Sequence, residues 1–195
     1  MILAGSRLLE VPVMSLQTGG ELAKTQKAII DPARLEILAY QLHGPLLGDD
    51  ATLLRIADVR EFSDIGIIVD SSDEFVSPDD IIKLGEIYKL NFHLDGMQVM
   101  DEEKTKLGKI VGYTIDTNGF LVQQISVKRP LLKRLNDTEL LIHRSQIIEI
   151  NDNGIVVHSQ AEIPEPRLEA VRASYVNPFR KNSTATPERI DNSEK

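Results

Sequence analysis

EFSDIGIIVDS at residues 61–71 recurs as EINDNGIVVHS at residues 149–159, and every residue of the second stretch lies 88 positions (149 − 61) after its counterpart. Asp, Gly, the apolar run and the final Ser all match without a gap. An ungapped block of this length indicates a duplicated domain. Each copy reads as a strand, an acidic turn and a second strand, because Gly66 and Gly154 tolerate positive φ while the β-branched residues after them favour a pleated ribbon. The match extends leftward: Leu53, Leu54 and Val59 stand where Leu140, Leu141 and Ile147 stand, and GPLL from Gly44 where RPLL from Arg129 stands. Further back, Gly5 pairs with Gly96 as the opening of each copy, and Gly20 pairs with Gly108. Two copies of a long period mean tandem domains rather than a solenoid.

The second copy predicts six short strands: one around Met97 and Val99, KIVGYTID, FLVQQISV, and three more at residues 140–143, 147–150 and 155–158. Asn118 and Gly119 read as a two-residue hairpin turn between the second and third strands. Short strands with turn residues at regular intervals predict a small closed barrel, since closure removes unpaired edges. The fold class is therefore all-β: two tandem six-stranded barrels at residues 1–76 and 92–159, a linker helix at residues 77–91 and a tail at residues 160–195.

The linker SPDDIIKLGEIYKL carries Ser77 as N-cap, Pro78 at the first helical position and Asp79 and Asp80 at the positive end of the dipole. Ile81, Leu84, Ile87 and Tyr88 form an apolar stripe that fits a brace packed on the barrels, with a peptide-docking helix as the alternative. In the tail, Leu168, Val171, Tyr175 and Val176 share one side of a possible short helix before a polar, unstructured end. That segment either folds back onto a barrel or serves as a linear motif.

The chain of 195 residues has no Cys, which removes disulfides, thiolate catalysis and Cys-ligated metals from consideration. Its N-terminus lacks a basic leader, and no apolar run reaches the roughly 20 residues a membrane span needs. A cytoplasmic protein without transmembrane segments is expected. The net charge of −8 is uneven: residues 1–76 carry 6 basic against 12 acidic side chains, residues 92–159 carry 8 against 9. The twins share an apolar pattern and differ on their surfaces.

Walker, Rossmann, nucleophile-elbow and zincin motifs are absent, and His43, His93, His143 and His158 lack metal-ligand spacing. No catalytic, metal or cofactor residue is assigned, and no enzyme activity is expected. One constellation suggests recognition: SVKRPLLKRL, in which Lys128, Arg129, Lys133 and Arg134 surround Pro130, Leu131 and Leu132. The corresponding stretch of the first copy is LHGPLLGDDA, with His43, Gly44, Gly48, Asp49 and Asp50 in place of the cations. An acidic protein surface or RNA phosphates would suit the basic version, although overall acidity disfavours broad nucleic-acid affinity.

GMQVMDEEKTKLGKIVGYTID through LLIHRSQIIEINDNGIVVHS resembles the PRC-barrel family, whose fold is shared with a cytoplasmic domain of the photosynthetic reaction centre and the C-terminal domain of a ribosome-maturation factor. The G-x-x-V opening, the LGK turn and the I-x-E-I-x-D-x-G ending fall in family order. The first copy matches through GGELAK, Ile29, Ile30 and Asp31, and DVREFSDIGIIV, with DPARLE in place of the Asn-Gly turn. The resemblance implies a non-enzymatic adaptor or scaffold that binds protein partners through barrel surfaces, with RNA processing or ribosome assembly through the basic loop as the alternative. Its partner and its oligomeric state are left open.

Overall fold

The computed structural model describes residues 1–48, 50–129, 139–151 and 153–158. Residues 1–159 form one compact unit. The chain is mostly strand, with one α-helix among the described residues. In the first repeat the strands are β1 (Ile2–Ala4), β2 (Pro12–Ser15), β3 (Glu21–Asp31), β4 (Glu36–His43), β5 (Thr52–Arg55), β6 (Glu61–Ser63), β7 (Gly66–Val69) and β8 (Phe75–Val76). The helix α1 (Ile82–Leu90) follows, and then β9 (Gln98–Asp101), β10 (Lys106–Asp116), β11 (Leu121–Lys128), β12 (Leu140–His143), β13 (Ile147–Asn151) and β14 (Gly154–Val157).

The duplication is visible strand by strand. In the first repeat the hydrogen-bonded order is β6-β7-β2-β3-β4-β5, and in the second it is β13-β14-β9-β10-β11-β12. Each repeat has one parallel pairing, β2 with β7 and β9 with β14. At that pairing the backbones approach so closely that a Cβ on Gly66 would lie 2.3 Å from the Pro12 carbonyl oxygen, and one on Gly154 2.1 Å from that of Gln98. With φ of 140° and 137°, these glycines serve a tight parallel contact as well as the turn before it.

The repeats do not stand apart as two separate sheets, as the sequence led us to expect. One fourteen-stranded mixed sheet joins them, because β4 and β11 pair where Glu36 meets Leu121. Ile37 N donates to Phe120 O and Val122 N to Leu35 O, both at 2.8 Å. Each bond is the other's counterpart, so the junction is reciprocal like that of a two-fold dimer. The hairpin loops bring it about: Leu35 and Phe120 adopt left-handed φ of 51° and 50° and turn both strand starts toward each other. Asn118 and Gly119 therefore belong to a four-residue loop, residues 117–120, and not to a two-residue turn. Residues 32–35 form the same loop; Asp31 Oδ1 accepts from Ala33 N at 2.9 Å as Asp116 Oδ1 accepts from Asn118 N at 3.1 Å. A second crossing reinforces the first, since β1 pairs with β10 of the other repeat.

The largest buried cluster belongs to both repeats, with Ile37 and Tyr40 packed among Ile115, Val122, Val99 and Ile155. A second cluster around Val13, Leu54 and Val69 lies within the first repeat. The linker differs from one continuous helix. Ser77 and Asp80 form a capping box on a 3-10 turn, Pro78–Asp80, and Ile81 is extended before α1 begins. Asn91 ends α1 in a left-handed conformation. As the stripe predicts, Leu84 is buried against Ile29, Ala39 and Leu53, with Ile81, Ile87 and Tyr88 beside it.

Two glycine pairings read from the sequence are corrected by the register. Gly96 (φ 80°) corresponds to Glu10 (φ 58°): Gly96 N donates to Ile110 O as Glu10 N donates to Thr25 O. Gly108 corresponds to Ala23, because they face Val99 and Val13 respectively.

Candidate functional site

The basic constellation is described only in part. Lys128 ends β11 and Arg129 follows it, both exposed; Pro130, Leu131, Leu132, Lys133 and Arg134 lie outside the described residues, as does the tail with Leu168, Val171, Tyr175 and Val176. Lys128 stands directly opposite exposed Lys109 on β10. Like charges facing across a ladder are unfavourable by themselves, so this pair concentrates positive charge at a cost that an anionic neighbour would relieve. The corresponding first-repeat pair is Lys24 and His43, and there His43 Nε2 lies 3.0 Å from Glu10 Oε2. The contrast in charge between the two loops thus extends into the strands.

Sequence reasoning missed the more developed feature, a groove along the outer edge of β13. Among the described strands β13 pairs only with β14. A groove of about 500 Å³ is lined on one side by Ile147, Ile148, Glu149 and Ile150 and on the other by Pro32, Ala33, Arg34 and Leu35, with Arg144 at one end. The β13–β14 register shifts between Ile147 and Glu149, which breaks the usual alternation of side chains, and β13 lies at the end of the strand order, so its outer edge borders the groove. Pro32 and Ile150 also line a neighbouring hollow of about 400 Å³ with Asn91, Phe92, His93 and Met97. Arg144 Nη2 donates to Arg34 O at 3.0 Å and ties the two walls together.

The equivalent place in the first repeat is built differently. Phe62 of β6 takes the position of Ile150, Phe120 that of Leu35, and the two rings touch with centroids 4.8 Å apart. Aliphatic side chains at the same positions leave open space in the second repeat. Arg60 takes the position of Ile148; its Nε donates to Asp70 Oδ1 at 2.9 Å and holds the Asp70 carboxyl below the usual carboxylate range. Ile148, by contrast, is 46% exposed. One edge carries a charged pair and an aromatic contact, with a hollow of about 360 Å³ lined in part by residues 62–67, and the other presents an apolar residue beside the groove of about 500 Å³.

Tyr40 is buried in the shared core, and half-buried Tyr113 packs against it. Burial, with Tyr113 nearby, pushes the Tyr40 hydroxyl well above its ordinary range, and burial with Asp95 nearby pushes Tyr113 up to about 12. Among the described residues Tyr40 Oη is buried without a hydrogen-bond partner. Among the described residues no group of three His, Asp or Glu side chains could hold a metal ion, and no helix is long and apolar enough to cross a membrane. No protein-family model matches the chain, and a search of curated proteins finds no match.

Proposed function

We propose that this protein is a non-enzymatic adaptor of the tandem PRC-barrel type, in which each six-stranded repeat curls into a barrel and different surfaces of the pair engage protein partners. The observation that carries this reading is the combination of one backbone plan used twice with two unlike surfaces. The reciprocal hydrogen bonds of Ile37 and Val122 hold the twins together, while the groove, the basic strand ends and the guarding charges differ between them. Selection on chemistry would favour paired acid and base groups in a concave site; the β13 groove instead offers a strand edge, aliphatic side chains and two guanidinium groups, which suits recognition. A cytoplasmic setting fits this reading.

A second reading, RNA processing or ribosome assembly, is favoured by the Lys109–Lys128 pair with Arg129 beside it. Affinity capture from the native host with the full chain separates the two. The adaptor reading predicts co-purified proteins that survive nuclease treatment; material released by nuclease would favour the RNA reading. Lys128→Glu with Arg129→Glu is expected to leave the melting temperature almost unchanged, since exposed charges alter stability by no more than about 0.5 kcal/mol, while reducing capture by whichever partner uses the basic face. Capture of neither protein nor RNA by the folded wild-type chain would overturn both readings.

A further inference from the structure

We propose that the β13 groove receives an extended, acidic peptide segment of a partner protein, which adds to the sheet as a strand beside β13. The inference rests on the adaptor reading and names the kind of partner that one of its surfaces takes.

Three observations point to this occupant. First, β13 presents its edge to the groove, so its outward N–H and C=O groups are placed to form a ladder with an incoming chain. Its five residues extend about 16 Å, enough for a peptide of five or six residues. Second, the exposed Ile148 and half-buried Ile150 stand on an edge where the first repeat has Arg60 and Phe62. Charged edges deter strand addition; β13 keeps Glu149 as the counterpart of Glu61, but Ile148 and His158 stand where the first repeat has the Arg60–Asp70 pair. Third, Arg34 and Arg144 flank the groove of a chain whose net charge is −8; Arg34 also meets Glu36 at 3.4 Å, and among the described lining residues the one acid is Glu149. Guanidinium groups bind carboxylates through paired N–H donors, so acidic residues alternating with apolar ones match both the charge and the two-residue period. A helix would leave the backbone edge unused.

The test selects a random heptapeptide display library on the full chain, and the enriched peptides are then measured by fluorescence anisotropy and amide exchange. The expected winners alternate apolar with Asp or Glu, and their binding slows exchange of the β13 amides. Affinity should fall at least about tenfold with Ile148→Glu and with Arg34→Glu plus Arg144→Glu, while the melting temperature changes little. Failure to enrich any peptide, winners insensitive to both variants, or winners that bind as helices would overturn the proposal. So would a self-associated chain whose dimer is lost in Ile148→Glu, because a second copy would then occupy the edge. Partners captured from the host equally well by wild type and Ile148→Glu would overturn this inference and leave the adaptor reading standing. Absence of any captured protein would count against the adaptor reading itself.

Discussion

The two repeats share their strand order, their hairpin-loop conformation and their glycine contact, yet they differ in how their outer faces and sheet edges are covered. On the first repeat α1 covers the outer face, and Ile29, Ala39 and Leu53 are buried beneath it. At the corresponding positions the second repeat has Thr114, Gln124 and Leu141, and Leu141 is 55% exposed. Two of the three apolar residues have become polar where no helix among the described residues covers them. Lost cover fits the exchange at half-buried Gln124 better than strand propensity does, since the backbones pair alike, while the Thr114 hydroxyl is itself buried without a partner among the described residues. At the sheet's two ends the difference runs the other way: beside β6, Phe62 meets Phe120 of the second repeat and Arg60 pairs with Asp70, whereas beside β13 aliphatic side chains of both repeats surround a groove.

The largest effect that could break the equivalence of the twins is expected at the glycines. Gly154→Val and Gly66→Val each force a branched side chain onto a carbonyl oxygen at a backbone conformation that disfavours it. Each should cost about 3 kcal/mol or more in urea unfolding. Because the main core is common to both repeats, either variant should lower a single transition. Two transitions, with only the substituted repeat weakened, would show that the repeats fold separately.

A smaller effect sharpens the contrast between the two edges. Phe120→Ala should destabilise by about 3 kcal/mol, and Leu35→Ala by about 1 kcal/mol less, because only the first removes an aromatic pair. Equal losses measured by chemical denaturation would mean that the Phe62 contact adds nothing.

Much of the architecture was legible from residue pattern. The duplicated ending, the six strands of the second repeat and the stripe on α1 follow from period and turn chemistry, which are local. The junction between repeats was not legible, because it depends on left-handed Leu35 and Phe120, residues that seldom adopt that conformation and carry no turn signature. Aligning glycine with glycine misled for the same reason: Glu10 takes the positive φ that Gly96 takes. The groove was hidden because it joins residues 32–35 to residues 147–150, which lie far apart in sequence and meet through the pairing of the two repeats. The basic residues at 128 and 129 were legible as charge, but their pairing with Lys109 required the register.

A smaller effect again is expected in the core. Tyr40→Phe removes a buried hydroxyl that has no partner among the described residues and should stabilise the protein by about 1 kcal/mol at neutral pH. It should also reduce the alkaline loss of stability. A tyrosine whose folded pKa lies above its ordinary value of 10.0 contributes stability that is present below that value and lost as the pH rises through the folded pKa. For Tyr113 that window runs from 10.0 to about 12, so it should persist in the variant. Thermal melts from pH 7 to 11 would read both effects, and destabilisation at neutral pH would mean that Tyr40 has a partner, such as a buried water.

The central claim is that two repeats are fused through reciprocal backbone bonds into one sheet, and amide hydrogen exchange at Ile37 and Val122 tests it most directly. Both amides should exchange only with global unfolding, with the same protection to within experimental error, and Gly154→Val should lower the two together. Rapid exchange at either position, or protection at Ile37 that survives when the second repeat is destabilised, would contradict it.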